Sequence, residues 1–84
     1  MKKFDDKKYC EVLNYLDVKV PYEHSEYFNM CLASGVAQGK EITENKIMKL
    51  LLNGVDDGFI SYTQALALNK IYVGMIDKLN YVRR

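Results

Sequence analysis

"YTQALALNKIYVGMIDKLNYV", from Tyr62 to Val82, is the stretch that decides the fold. Within it Ala65, Leu68, Tyr72, Met75, Leu79 and Val82 follow one another at alternating spacings of three and four residues. Such spacing places all six side chains on one helix face and suits packing against a neighbouring helix at a shallow angle. The pattern predicts one long C-terminal helix, from Tyr62 to about Tyr81, as the organising element. Its start is marked by Ser61 and Gln64, an S-x-x-Q capping box in which two side chains satisfy two free backbone amides.

A second, narrower apolar stripe on the same segment comprises Tyr62, Leu66 and Val73. Three short helices from the rest of the chain are not expected to cover both stripes. Tyr62, Leu66 and Val73 are therefore the expected protein-binding residues, since an uncovered apolar face marks a contact surface. The same surplus suits a homodimer formed through the C-terminal helix.

Helical periodicity also governs the residues upstream. Asp5 is a natural cap for a first helix ending near Asp17, with Phe4 and Tyr9 as the apolar pair flanking the cap. Tyr9, Val12, Leu13 and Leu16 form its buried face. A second helix is expected from Pro21 or Glu23 to Ala33, with Tyr27, Phe28, Cys31 and Leu32 inward and Gly35 as its left-handed stop. A third helix starts after Thr43, flanked by Ile42 and Ile47, faces the core with Ile47, Leu50 and Leu51, and ends at Asn53-Gly54.

The joint "NGVDDGFISYTQA", Asn53 to Ala65, is the one segment with a hint of chemistry. If Gly58 is the sixth position of an EF-hand calcium loop, the third is Val55 and the twelfth Gln64. Neither can serve: valine has no ligand atom, and glutamine cannot supply the bidentate carboxylate. "GVAQGKEIT", from Gly35 to Thr43, echoes "GVDDGFIS", from Gly54 to Ser61, and lacks acidic ligands as well. The echo reads as two interhelical joints built alike, with Ile42 and Ile60 placed for a short two-stranded contact.

Other chemistry finds no support. Cys10, Cys31 and His24 are the only soft metal ligands and have no zinc-site spacing. The lone histidine is far in sequence from any plausible orienting pair, and both common phosphate-binding glycine motifs are absent. No catalytic residue, metal or cofactor is expected.

Length and composition bound what remains. Eighty-four residues make a single domain, 1–84, of thin stability margin. With no signal peptide, no membrane-spanning run and two cysteines read as reduced, partly buried thiols, the expected setting is the cytoplasm. The net charge of +1 gives no broad electrostatic grip on nucleic acid. Basic residues gather at the chain ends instead: Lys2, Lys3, Lys7, Lys8, Arg83 and Arg84. They are the candidate nucleic-acid contacts, together with polar Ser61, Thr63 and Gln64 at a helix start. Against DNA binding, the joint between the third and fourth helices is longer than a helix-turn-helix turn, and Asp56 and Asp57 would repel phosphate. Seven tyrosines and no tryptophan suit a protein interface.

The expected protein is thus an all-α, compact bundle of about four helices with a long C-terminal helix. Its expected function is protein-binding regulation without enzymatic activity, as an inhibitor or adaptor. The Lys-, Asn- and Tyr-rich composition fits a phage or bacterial accessory protein. The alternative is a small dimeric DNA-binding transcriptional regulator.

Overall fold

The computed structural model describes residues 4–83, with side chains described for 4–81. Five helices follow one another: α1 (Asp6–Lys19), α2 (Ser25–Ala37), α3 (Glu44–Asp56), α4 (Tyr62–Val73) and α5 (Ile76–Arg83). The fold is all-α. α1 packs along α2, α3 along α4, and α5 lies against both α1 and α2.

The helix starts follow the sequence signals. The Asp5 carboxylate accepts from the Lys8 amide, and the Phe4 and Tyr9 rings meet across the cap at 5.6 Å. Thr43 Oγ1 accepts from the Lys46 amide. Ser61 and Gln64 form the full reciprocal box. α2 starts later than expected. The Ser25 hydroxyl bonds to the carbonyls of Val20 and Tyr22, each at 2.6 Å, and so holds residues 21–24 in a turn.

The helix stops differ from expectation in both joints, and in the same way. α2 runs through Gly35, and α3 through Gly54. The left-handed residues are the second glycines, Gly39 (φ 77°) and Gly58 (φ 74°). In each joint the amide after that glycine bonds five residues back: Lys40 to the Gly35 carbonyl and Phe59 to the Gly54 carbonyl. Both are Schellman stops. The first glycines lie inside the helices, each beneath an isoleucine that folds back over it, and only Gly54 is held to glycine by its neighbours. A Cβ on Gly35 would sit 3.4 Å from Ile42 Cδ1, and one on Gly54 would sit 3.6 Å from Ile60 Cγ1. At Gly54 the Phe28 ring comes closer still, 2.6 Å from such a Cβ.

The long C-terminal helix is not formed. The chain turns at Gly74-Met75, where the Met75 amide bonds to the Tyr72 carbonyl in a tighter turn. The apolar seam is nonetheless buried through Ala65, Leu68, Tyr72 and Leu79, with Met75 half-buried against them. The Val82 side chain lies outside the described ones. The break has a packing cause. The first half of the seam serves α3, and the second half serves α1 and α2. A straight helix of 20 residues is about 30 Å long and cannot turn from one partner to the other. Glycine, with the weakest helix preference in the segment, takes the bend.

Ile42 and Ile60 are both buried, but no strand forms among the described residues. Asn80 on α5 takes the place of a strand partner. Its side-chain amide donates to the Ile42 carbonyl and its oxygen accepts from the Ile42 amide, both at 2.9 Å. Ile42, Ile60 and the seam join Val12, Leu16, Phe28, Leu32, Ile47 and Leu51 in one core.

Candidate functional site

Sequence patterning treats Tyr27 and Leu50 as inward-facing. The structure turns them toward a groove between α2 and α3. On α2 the buried face is carried by Phe28, Leu32 and Val36, with Ser25 and Asn29 beside them. Tyr27 is 54% exposed and Cys31 half-buried, so the apolar stripe of α2 is rotated by about one residue. On α3, Ile47 and Leu51 are buried while Leu50 is half-buried at the edge.

The space between the two helices is an open trough of about 720 Å³, with Phe4, Tyr9, Met30 and Cys31 on one side and Lys46 and Leu50 on the other. A second hollow of about 500 Å³ continues from it toward Asn53, Asp56, Asp57 and Phe59. Tyr27 and Leu50 line both, so the two form one groove along α3.

At the far end stands an aromatic cluster. The Phe59 ring lies edge-on to Tyr27, Phe28 and His24, with centroids at 5.7, 5.8 and 5.2 Å. Tyr27 and Phe59 are exposed, whereas Phe28 is buried beneath them. His24 has a left-handed backbone (φ 69°), an uncommon conformation for a non-glycine residue. Hydrogen bonding to Cys31 and its charge push the Tyr27 hydroxyl's pKa up, as do burial and the charge of Asp57.

The residues expected to bind protein are on α4. Tyr62 and Leu66 are 58% and 45% exposed, but Val73 is half-buried against the core. They do not line the groove. A separate hollow of about 500 Å³ is bounded by Tyr22, Ile60, Gln64 and Ile71. Of the expected nucleic-acid residues, Lys7 is exposed and Lys8 half-buried at the start of α1. Arg83 ends α5, with its side chain outside the described ones, and Lys2, Lys3 and Arg84 lie outside the described residues. At the start of α4 the side-chain oxygens of Ser61 and Gln64 are engaged in the capping box. Of the thiols, Cys10 is exposed rather than partly buried, and only Cys31 reaches the groove.

Sequence reasoning missed Phe59, Met30 and the outward role of Tyr27. A signal existed for Phe59: a bulky aromatic directly after a left-handed glycine, in a loop with nothing local to bury it. No family model, curated protein or solved structure matches this chain. Among the described residues no helix is long and apolar enough to cross a membrane.

Proposed function

We propose that this chain is a non-enzymatic protein-binding protein, an inhibitor or adaptor, that takes a segment of its partner into the groove between α2 and α3. One observation carries the reading: a groove, mainly apolar between Phe4 and Leu50 and polar where it ends on Asn53, Asp56 and Asp57, whose exposed rim is built from Phe4, Tyr27, Met30 and Phe59. Aromatic residues and methionine are the types enriched at protein interfaces, and exposed apolar surface of this kind gains free energy when covered. The groove thereby displaces the Tyr62–Leu66–Val73 stripe as the preferred surface, because Val73 already has a partner in the core.

The test is a comparison of captures from a lysate of the native host. The intact chain should retain one stoichiometric protein, and so should Leu66→Asp. Met30→Asp combined with Phe59→Ser should lose it while keeping full helicity. Capture that survives the groove variant but fails with Leu66→Asp would return the interface to α4. Salt-sensitive binding of random duplex DNA, with no protein retained, would favour the DNA-binding alternative.

A further inference from the structure

The walls and the charges of the groove define what kind of segment it takes. Both walls are helices, whose backbone groups are bonded internally, and no strand edge is present among the described residues. An extended peptide laid there would find no strand edge to pair with, so its backbone would gain no hydrogen bonds from the walls. A helix brings its backbone bonds with it and offers only side chains. The length agrees. From Lys46 to Asp57 the α3 wall rises about 16 Å, or three helical turns.

The charges are unequal along that wall. Asp56 and Asp57 stand at one end, together with the negative end of the α3 dipole. Lys40 and Lys46 stand at the other, where the Lys46 ammonium donates to the Glu41 carbonyl and the Glu41 carboxylate offsets part of the positive charge. The acidic end is therefore the stronger determinant.

We infer, resting on the groove reading above, that the occupant is an amphipathic partner helix of about three turns, acidic in its first turn and basic in its last, running parallel to α3. Its apolar face lies on Tyr27, Met30 and Leu50, and its basic end meets Asp56 and Asp57. A helix with this charge order has side chains matched to its own dipole. Its C-terminal carbonyls then face the acidic end of the groove, and the full charges of its Lys or Arg side chains, larger than the partial charge of a helix end, set the orientation.

The experiment uses a displayed library of 16-residue peptides with a fixed helical apolar face and randomised first and last turns, selected on the intact chain. Clones that also bind Met30→Asp are discarded as groove-independent. The remaining clones should carry Lys or Arg in the last turn and Asp or Glu in the first. Exchanging the two ends of the best peptide should weaken binding at least tenfold, and Asp56→Lys with Asp57→Lys should restore the exchanged peptide. Both aspartates are exposed at a helix C-terminus, where lysine is favoured, so this variant folds. Groove-dependent clones without charge order would overturn the inferred helix and leave the groove reading intact. A selection that returns no groove-dependent clone overturns both.

Discussion

The Tyr72 hydroxyl donates to Asn29 Oδ1 over 2.6 Å, joining α4 to α2 across 43 positions of sequence. The Asn29 amide in turn donates to Asp17 Oδ1 at 3.2 Å and to the Val20 carbonyl at 3.3 Å. One buried asparagine thus ties the end of α1 and the start of the turn into α2 to the last turn of α4. Tyr72 is fully buried, and the network supplies the partner its hydroxyl requires.

Tyr72→Phe should therefore destabilise the fold by about 1–3 kcal/mol, because it leaves the Asn29 oxygen buried without a donor. Urea denaturation measures this directly. Burial, with the nearby charges of Asp17 and Cys31, raises the Tyr72 pKa far above the ordinary value of 10.0. The unfolded chain consequently releases this proton first. The stability tied to Tyr72 is full below pH 10 and declines as pH rises beyond it. The alkaline loss of stability should be shallower in Tyr72→Phe than in the parent. Parallel pH profiles would contradict the assignment.

The two joints should respond differently to alanine. At Gly54 a methyl group meets the Phe28 ring, so Gly54→Ala should cost about 1–3 kcal/mol although alanine favours helices. At Gly35 the nearest atom is the movable end of Ile42 at 3.4 Å, and the gain in helix preference roughly balances the contact. Thermal melts should rank Gly54→Ala well below Gly35→Ala, and the reverse order would show that the glycines have been assigned the wrong tasks.

Asn80→Ala removes both bonds to the Ile42 backbone. At roughly 1 kcal/mol for each bond, the loss should be about 2 kcal/mol. Hydrogen exchange offers a sharper readout. The Ile42 amide should lose protection far more than the helical amides of α3, and uniform loss across the chain would mean that the clamp is not local.

On α4, Leu66→Asp should leave stability nearly unchanged, because the side chain is already exposed. Val73→Asp should lower it clearly, since it places a carboxylate against the core. Equal, small effects on the melting temperature would restore Val73 to a surface stripe.

What was legible in the chain was mostly local. Asp5, Thr43 and Ser61 announce helix starts because capping is a bond between near neighbours, and the seam from Ala65 to Leu79 announces a buried face because helical periodicity repeats over a few residues. The echo between the two joints was also visible, but the tasks of its glycines were not. Which glycine turns left-handed depends on how far each helix extends, and that depends on Phe28 and Ile60 packing onto Gly54 from elsewhere in the chain.

The sequence by itself determined an all-helical chain, the starts of α1, α3 and α4, and the residues that form the seam. Tertiary structure decided three further things. It broke the last helix at Gly74, because the seam has to serve α3 and then α1 with α2. It turned Asn80 into a backbone clamp on Ile42, through a pairing that lies 38 positions apart. It also exposed Tyr27 and Phe59 beside a groove, since which edge of an apolar stripe stays in water depends on how two neighbouring helices splay. Periodicity specifies a face, and only packing specifies how much of that face is covered.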